Sequence, residues 1–563
     1  MPQVKSFLEY FYHWEQTTPQ AIYLRQPKGS TWTDYSWAEV GQIARTMASA
    51  LQQMGLPPGS HIGIVSKNCC HWVMADLAIM LGGYVSVPFY PNLTGPQLAQ
   101  VIDHSDIKVL FVGKLENWTD MREGVPDGLD IIRFPHYEGN SQVAEGKDWH
   151  ELLQSRQPLA GNPLPDLHQL WTILYTSGTT GTPKGVMHSF YTASALLENE
   201  RQHNNLKLFE GEHNRFFSYL PMNHIAERVI VEIASFFTGA SISFGENIDT
   251  FASNLQATQP TLFLAVPRIW TKFQMAILDR LPQKRLSLLL KLPLLSGLLK
   301  RKIAKGLGLS KARILLTGAA PTPQSLSAWY TSLGLQLQEV YGMTENCGGC
   351  TLMRKESIRT GTVGQPVPNC TIRIDPETQE VQTQAPWTML GYYKDPDKTE
   401  QVLKDGWLHS ADLGALDANG FLKITGRLND VFKTAKGKYV VPGPIEWELA
   451  KNTALEQICV VGLGIGQPLA LVVLSEVGKS LPEAALGNTL EATLTTVNNQ
   501  LARFQKVAAM IIVADRWEVD TGILTPTMKV KRNVIDQRYS HLYTNWFNAE
   551  QPIIYAEPLA KQP

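Results

Sequence analysis

The sequence predicts an α/β protein built from a large N-terminal domain and a small C-terminal one. Helix-like stretches alternate with short β-branched runs between residues 30 and 200, which is typical of βαβ units around a mostly parallel sheet. The chain has 563 residues, more than one hydrophobic core supports, so several domains are expected. After about residue 370 short strands and turns replace the alternation, and the last part of the chain predicts a compact α+β unit.

The elements of the first part follow from local pattern. Ser36 is a suitable N-cap for an amphipathic helix that runs to Met54 and ends at Gly55. Pro96 is acceptable in the first turn of a later helix. In chain order, the elements predicted after Gly55 are a strand at 61–66, a helix at 72–80, a strand at 84–89, a helix at 96–104 and a strand at 109–112.

The second part continues the alternation and then changes character. Apolar strand-like runs are predicted at 171–174, 261–266, 312–317, 458–461, 469–475 and 510–513. A basic, glycine-bearing junction near residue 430 marks the change to the last unit. We therefore predict an N-terminal domain at 1–425, a hinge at 426–431 and a small C-terminal domain at 432–563.

Composition limits the classes of partner that we expect the protein to bind and the cellular compartment in which we expect it. Fifty Lys and Arg against 51 Asp and Glu leave no excess charge to attract nucleic acid. Six cysteines, including the adjacent Cys69 and Cys70, do not form the pattern of a disulfide framework, which favours a reducing cytoplasm. Cys347 and Cys350 form one Cys-x-x-Cys pair without a second, so metal or redox chemistry and small residues in a glycine turn both remain open.

No export signal or membrane-spanning segment is predicted. The N-terminus lacks the long apolar core of a secretion signal, and no stretch approaches about 20 apolar residues. The nearest case, residues 284–305, is rich in leucine and lysine and is interrupted by Lys291 and Pro293. This segment predicts either peripheral contact with a membrane surface, here the inner membrane face, or a helical hairpin packed on the protein.

Residues 175–185, Tyr-Thr-Ser-Gly-Thr-Thr-Gly-Thr-Pro-Lys-Gly, indicate the chemistry most directly. Glycines allow backbone N–H groups to approach phosphate oxygens, hydroxyls add donors or magnesium contacts, and Lys184 supplies a mobile positive charge. A Walker loop requires Gly-x-x-x-x-Gly-Lys-Ser/Thr, whereas Lys184 lies between Pro183 and Gly185. The segment therefore predicts a polyphosphate-binding loop other than a P-loop. A flexible Ser/Gly linker is the alternative.

The segment at 339–345 combines an aromatic ring, a tight glycine, a hydroxyl and a carboxylate. Tyr341 can stack on a purine, Thr344 can bond a phosphate, and Glu345 can hold magnesium. Farther along, Asp412 offers a carboxylate that can accept both ribose hydroxyls, although an isolated Asp before a turn is usually a cap. Together these residues predict a complete nucleotide site.

Two basic segments lie in and after the predicted hinge. Residues 425–439 form a glycine-bearing junction, and residues 524–532 carry Lys529 after a Thr-Pro-Thr turn. A basic run is normally a solvated face. The position of Lys529 in a separate small domain instead allows it to be delivered to a site on the larger one.

With these segments in this order, the chain resembles the adenylate-forming superfamily of AMP-binding enzymes, which includes acyl-CoA synthetases, luciferases and peptide-synthetase adenylation domains. The resemblance covers nearly the full length. Residues 74–80, 219–228, 265–270 and 525–532 most resemble long-chain fatty acyl-CoA synthetases. The resemblance implies a large domain of mostly parallel α/β sheets with a distorted β-barrel-like part, and a small mobile α+β C-terminal domain.

The resemblance also implies two half-reactions. A fatty acid carboxylate attacks the α-phosphate of Mg-ATP to give acyl-adenylate and pyrophosphate, and the thiol of coenzyme A then displaces AMP. ATP, Mg²⁺ and coenzyme A are thus the implied cofactor and substrates, beside a long-chain fatty acid. The acceptor stays open, since an acyl carrier protein or no acceptor at all would fit an acyl-ACP synthetase or a fatty acyl-AMP ligase. A non-catalytic nucleotide- or lipid-binding protein is the alternative from another class.

Matching positions carry the family's roles. Lys529 matches the lysine that bridges the carboxylate and the α-phosphate, a role suited to a flexible point charge. Lys433 matches a residue of the second half-reaction, and Thr344 and Glu345 match the α-phosphate contact and a magnesium ligand. Thr179 is a second candidate metal ligand. The matched ATP- and AMP-binding positions are Thr176, Ser177, Gly178, Thr179, Thr180, Gly181, Lys184, Gly318, Ala319, Ala320, Glu339, Tyr341, Gly342, Asp412 and Arg427.

The remaining comparisons with the family concern the acyl or thiol tunnel, a coenzyme A contact, the hinge and substrate gating. The resemblance implies that His224 lines the acyl or thiol tunnel; the alternative is a structural histidine. Tyr439 matches a coenzyme A contact of the family. The hinge position, commonly Asp or Lys, is Asn429 with Asp430 next, and Asn tolerates unusual backbone angles. Arg228 occupies the position of a gating tryptophan in some bacterial long-chain enzymes, so substrate gating does not transfer to this chain.

Overall fold

The core of the large domain is an eight-stranded, mostly parallel sheet. The computed structural model describes residues 4–176, 183–210, 213–518, 521–525 and 529–557. In spatial order the strands of this sheet are Gly391–Tyr392, Lys184–Ser189, Leu170–Thr176, Val85–Phe89, His61–Val65, Val109–Val112, Asp130–Arg133 and Lys147–Asp148. The first and second strands pair antiparallel, and so do the second and third. All the remaining neighbouring strands pair parallel.

Two further sheets complete the α/β part. A five-stranded sheet contains Leu262–Ala265, Ile314–Thr317, Leu337–Tyr341, Thr351–Leu352 and Gln365–Pro366, and its first three strands are parallel. A four-stranded sheet contains Arg215–Ser218, Ser241–Phe244, Ile22–Lys28 and Thr31–Ser36. Because ligands bind beyond the carboxyl ends of parallel strands, the ends of the strands at Thr176 and Thr317 are favourable positions for a nucleotide.

The change of character after residue 370 corresponds to an antiparallel sheet. Its strands are Thr371–Ile374, Glu380–Gln384, Trp407–Leu416 and Leu403–Lys404, with Leu422–Arg427 paired to the long strand. The C-terminal unit has a two-stranded ribbon, Phe432–Lys433 with Tyr439–Val440, and a four-stranded sheet of Leu455–Val461, Leu469–Leu474, Ala509–Ile512 and Ile553–Tyr555. The predicted α/β class is confirmed.

Helices cover the sheets where the sequence places them. Trp37–Gln52 begins after Ser36, whose side chain caps Glu39 N while the Glu39 carboxylate bonds Ser36 N, a capping box. The longer helices are Phe7–Thr17, Trp37–Gln52, Cys70–Leu81, Gly95–Ser105, Phe190–His203, Phe251–Thr258, Pro267–Arg280, Gln283–Leu290, Pro293–Gly306, Gln324–Ser332, Pro442–Leu449, Glu483–Asn498 and Arg532–Tyr539. The shorter ones are Trp118–Arg122, Trp149–Gln154, Ile225–Glu227, Ala234–Thr238, Pro396–Val402, Glu476–Ser480 and Tyr543–Asn548. Among the described residues, no helix is long and apolar enough to cross a membrane.

Hydrophobic cores form separately on the two sides of the junction. The clusters of the large part extend no further than Leu422. Those of the C-terminal part begin at Phe432. Between them, Ile424 still packs against the core of the large part, whereas Arg427, Leu428 and Asn429 are exposed, as is expected of a linker between two cores. The domain limits at 425 and 431 stay predictions.

Candidate active site

The phosphate-loop prediction falls at the end of the central sheet. Thr176 ends its strand and pairs with Lys184, the first residue of the next strand. At Gly185 an added Cβ would lie 2.7 Å from Ile173 Cγ2, so this backbone packs closely on the sheet. The predicted residues Ser177, Gly178, Thr179, Thr180 and Gly181 lie outside the described residues.

Lys184 and Glu345 meet at the ring of Tyr392. The Lys184 Nζ atom lies 5.7 Å from the ring centroid, and the Tyr392 hydroxyl donates a 2.7 Å hydrogen bond to Glu345 Oε1. Burial, followed by the nearby Lys398 charge, lowers the pKa of Lys184, while Glu345 acts against that shift. The Lys184 ammonium and the Glu345 carboxylate thus both lie at the Tyr392 side chain, next to the predicted phosphate loop.

The segment with Thr344 and Glu345 is a short 3₁₀ turn fixed from both sides. His188 Nε2 donates to the Thr344 carbonyl at 2.7 Å, and Met389 N donates to the Glu345 carbonyl at 2.8 Å. Glu345 Oε2 has no hydrogen-bond partner among the described residues. A buried carboxylate with one oxygen held and one available suits Mg²⁺, which binds through one or two carboxylates together with substrate phosphates and water.

Tyr341, Asp412 and Arg427 form one hydrogen-bonded group. The Tyr341 hydroxyl donates to Asp412 Oδ2 at 2.7 Å, and Arg427 Nε donates to Asp412 Oδ1 at 2.9 Å. Asp412 is buried, whereas half of the Arg427 side chain is exposed. Burial and the Asp412 charge raise the pKa of Tyr341 well above its ordinary value, so it remains a neutral donor.

The predicted adenine wall contains two tightly packed glycines and one residue with an unusual backbone angle. An added Cβ at Gly318 would lie 2.8 Å from the Val340 carbonyl oxygen, and one at Gly342 would lie 2.2 Å from that of Gly348. Ala319 has a φ of +62°, which is uncommon for a residue with a side chain, and strain of this kind gathers at ligand sites. Ala320 follows on the exposed surface, and burial raises the pKa of Glu339 to about 8.

Lys529 approaches this group from the C-terminal domain. Its backbone N–H donates to Thr525 Oγ1 at 3.0 Å and its carbonyl accepts from Thr525 N at 2.8 Å, so its backbone is held against Thr525. Surrounding protein and repulsion from Arg427 lower the pKa of Lys529, and Asp412 opposes the shift. The same lysine charge contributes, after burial, to a His224 pKa of about 4. The charge of Lys529 is therefore felt by Arg427, Asp412 and His224, which places the lysine within electrostatic range of all three.

Comparison with known proteins agrees with this geometry. A family model described as "AMP-binding enzyme" matches residues 11–393, and one described as "AMP-binding enzyme C-terminal domain" matches residues 429–551. The chain belongs to the AMP-binding enzyme family. The fold of this AMP-binding enzyme resembles that of o-succinylbenzoate coenzyme A synthetase from Bacillus subtilis, solved in complex with ATP and magnesium ion. That similarity has a TM-score of 0.70 at 21% identity and covers 93% of this chain and 98% of the other.

Curated relatives extend over nearly the whole chain. The long-chain-fatty-acid–CoA ligase FadD15 of Mycobacterium bovis is 27% identical over 96% of both chains. The long-chain-fatty-acid–CoA ligase ACSBG2 of Rattus norvegicus is 27% identical over 93% of this chain and 90% of its own. The predicted resemblance to the family, and within it to long-chain fatty acyl-CoA synthetases, is confirmed.

Other predicted residues of the AMP-binding enzyme lie elsewhere. Lys433 pairs with Tyr439 across the two-stranded ribbon, with Nζ 5.6 Å from the ring centroid, and both residues are exposed. Within the described part of the chain no hydrogen bond or ion pair joins either residue to Asp412 or Lys529; besides this pairing, the Lys433 carbonyl accepts from Gly464 N. Asn429 is exposed in a 3₁₀ turn, and Asp430 lies 3.9 Å from Arg532. Their functional roles remain predictions.

Arg228 belongs to a buried ionic cluster that the sequence did not predict. Its guanidinium pairs with Asp76 and, at 3.3 Å, with Glu232, and it lies between the rings of Trp171 and Trp72. All three charged side chains are fully buried. Burial and the Asp76 charge raise the pKa of Glu232 well above its ordinary value. The spacing of Arg228 and Glu232 by four residues was a signal, but Asp76 lies in a distant helix.

Sequence reasoning also missed Tyr392, because its hydroxyl contacts a carboxylate 47 positions away. Cys347 and Cys350 are free and buried, and no group of three or more metal-ligating side chains occurs among the described residues. A hydrogen bond between the thiols of Cys350 and Cys370 is the largest cause of the raised Cys350 pKa, and burial is the second. Their place after the Thr344–Asn346 turn fits small residues in a glycine turn.

Proposed function

We propose that this protein is an AMP-forming ligase that joins a long-chain fatty acid to coenzyme A. The observation that supports the proposal is the position of Lys529, in the small domain, within electrostatic range of the hydrogen-bonded Asp412 and Arg427 of the large one. The names of the curated relatives, which are long-chain fatty acid ligases over nearly the full chain, point to the substrate class.

In the first half-reaction a fatty acid carboxylate oxygen attacks the α-phosphorus, and the bond to pyrophosphate breaks. The ammonium of Lys529 draws the two anions together and offsets the negative charge that builds on the α-phosphate oxygens. Thr344 holds the α-phosphate, and Lys184 holds the phosphates that leave. Because these groups are fixed before the substrate arrives, they do not need to reorganise during the reaction.

Asp412, Arg427 and Tyr341 orient the nucleoside. The Asp412 carboxylate keeps lone pairs for the ribose hydroxyls while it accepts from Tyr341 and Arg427, since each carboxylate oxygen accepts two bonds. The ring of Tyr341 and the turn Gly318–Ala319–Ala320 enclose the adenine, and the backbone of Gly342 allows close approach. ATP is the nucleotide. Mg²⁺, held through Glu345 and Thr179, would neutralise phosphate charge and make pyrophosphate a better leaving group.

The second half-reaction uses a different face of the small domain. The thiolate of coenzyme A attacks the acyl carbon, and the bond to AMP breaks. Lys433 and Tyr439 are solvent-exposed in the present arrangement, so they reach the cleft only after rotation about the Asn429–Asp430 turn. The arrangement seen here therefore corresponds to the adenylation step.

One incubation separates this proposal from its alternatives. Enzyme, ATP, Mg²⁺ and palmitate are mixed with coenzyme A, with acyl carrier protein, or with neither, and the acyl product is identified by mass spectrometry. Palmitoyl-CoA supports the ligase, whereas palmitoyl carrier protein or free palmitoyl-AMP supports the other acceptors. A protein that releases no pyrophosphate with fatty acids of any length would be a binding protein only.

We also infer a cytoplasmic protein with peripheral contact to the inner membrane face through residues 284–305. The observation that favours this contact is the number of exposed leucines there. Long-chain fatty acids partition into bilayers, so a ligase at the membrane surface would meet its substrate at high local concentration.

A further inference from the structure

The helical hairpin formed by Gln283–Leu290 and Pro293–Gly306 exposes its apolar residues rather than burying them. The second helix has no buried residue, and Leu294 is 88% exposed. The exposed leucines of this hairpin, which we call the leucine tip, are Leu288, Leu292, Leu294, Leu295 and Leu298. Scattered exposed leucines are ordinary, but a contiguous group marks a surface that meets an apolar partner.

The hairpin is attached at its base and projects at its turn. Leu286 is fully buried, and Gln283 Oε1 accepts from Trp329 Nε1 at 2.9 Å. At the other end, the carbonyl of Gly306 accepts from Gln256 Nε2 at 2.6 Å. Both ends are therefore fixed to the large domain, while the leucine tip lies around the free turn.

The charges of the hairpin have one sign. Residues 283–306 contain no Asp or Glu, although the whole chain carries a net charge of −1. None of the basic side chains in this range forms an ion pair with a described residue. The basic residues are Lys284, Arg285, Lys291, Lys300, Arg301, Lys302 and Lys305.

The leucine tip and the basic residues are ordered along the hairpin as the apolar and charged layers are at a bilayer surface. Apart from Lys291 at the turn, the cations lie toward the base, at the start of the first helix and in the second half of the second. From Leu298 to Lys305 the helix rises about 10 Å, which is similar to the depth of an interfacial helix in the headgroup region. Lys291 can extend its ammonium to the headgroups while its stem stays among apolar neighbours.

We propose that the leucine tip inserts into the surface of an anionic bilayer and that the surrounding cations bind its lipid headgroups. This inference rests on the proposed peripheral contact and narrows it to a lipid class. Hydrophobic insertion and attraction to anionic lipid act together, because either one alone gives weak, reversible attachment.

The test is vesicle co-sedimentation of the full chain, with vesicles of phosphatidylcholine alone or mixed with phosphatidylglycerol. The leucine variant is Leu294→Ser, Leu295→Ser and Leu298→Ser together, and the charge variant is Lys300→Glu with Arg301→Glu. Ile248→Ser is the matched control, because Ile248 is 83% exposed outside the hairpin. Acyl-CoA formation from detergent-dispersed palmitate is measured on every variant.

The wild-type protein and the control should bind the mixed vesicles in preference to phosphatidylcholine. Each hairpin variant should lower the partition coefficient by about tenfold or more, with acyl-CoA formation in detergent unchanged. Equal binding of wild-type and leucine variant would overturn the proposal. So would a wild-type dimer that the leucine variant converts to a monomer, because the leucine tip would then cover a second copy. Vesicle binding without acyl-CoA formation would contradict the proposed ligase instead.

Discussion

The Tyr392 hydroxyl donates a 2.7 Å hydrogen bond to Glu345 Oε1 while the same ring lies beneath Lys184. One side chain therefore fixes the direction of the candidate magnesium ligand and the position of a phosphate-binding cation. The contact joins the antiparallel strand Gly391–Tyr392 at the edge of the central sheet to the turn Thr344–Asn346. Tyr392 is accordingly a positioning residue.

Tyr392→Phe keeps the ring under Lys184 and removes only the hydrogen bond to Glu345. We expect the Mg²⁺ concentration needed for half-maximal pyrophosphate release to rise about tenfold, since a hydrogen bond to a charged group contributes about 1.5–3 kcal/mol. Binding of Mn²⁺ with a non-hydrolysable ATP analogue, followed by electron paramagnetic resonance, should weaken in parallel. Tyr393→Phe, which removes a bond to Asp106, is the control. An unchanged metal requirement would contradict the role of Tyr392.

Lys529→Ala should abolish acyl-adenylate formation, because it removes the small-domain ammonium that lies within electrostatic range of Asp412 and Arg427. Transfer from supplied palmitoyl-AMP to coenzyme A should be much less affected, and the two half-reactions are measured separately. Equal loss of both would contradict the assignment.

The adenylation rate should fall on the alkaline side at a lower pH than an ordinary lysine would give. Surrounding protein and repulsion from Arg427 hold the pKa of Lys529 below its usual 10.5, although the residue is solvent-exposed, so its ammonium loses the proton earlier as the pH rises. Lys529→Arg, which stays charged, should move the alkaline limb upward even if its rate is lower. ATP–pyrophosphate exchange across the pH range measures this limb. An identical limb in both proteins would assign the titration to another group.

Lys433→Ala should leave adenylation intact and slow the second half-reaction, so that palmitoyl-AMP accumulates on the enzyme. The physical reason is that Lys433 and Tyr439 lie exposed and away from the nucleotide group in the adenylation arrangement. Quenched time courses analysed for bound palmitoyl-AMP provide the measurement. Normal thioester output would remove Lys433 from the second step.

Arg228→Met should destabilise the large domain by about 3–5 kcal/mol, because it leaves the Asp76 and Glu232 carboxyls buried without their cation. Arg25→Met breaks the partly exposed pair with Asp34 and should cost about 0–1 kcal/mol. Thermal unfolding of the two variants and the wild type gives the comparison. Similar midpoints for both variants would mean that the cluster contributes little.

Local patterns predicted the alternating elements well, because each depends on neighbours in the chain. The Ser36 cap and the strands near residues 61, 109 and 469 are cases in which the polar and apolar spacing sufficed. The predicted ends of the elements differ from those in the structure by a few residues. For example, the helix predicted at 72–80 spans Cys70–Leu81. For residues 284–305 the sequence left two alternatives. The structure forms a helical hairpin with exposed leucines, and contact with a membrane surface stays a prediction.

The sequence by itself determined the α/β class and the resemblance to AMP-binding enzymes, and it predicted Lys184, Glu345, Asp412, Arg427 and Lys529 as site residues. These depend on short segments whose order and composition are visible along the chain. The tertiary structure alone decided which of them meet. The bond from Tyr392 to Glu345, the pair of Arg228 with Asp76 and the approach of Lys529 to Asp412 join residues from 47 to more than 100 positions apart. Packing of distant elements sets such contacts, and no local pattern encodes them.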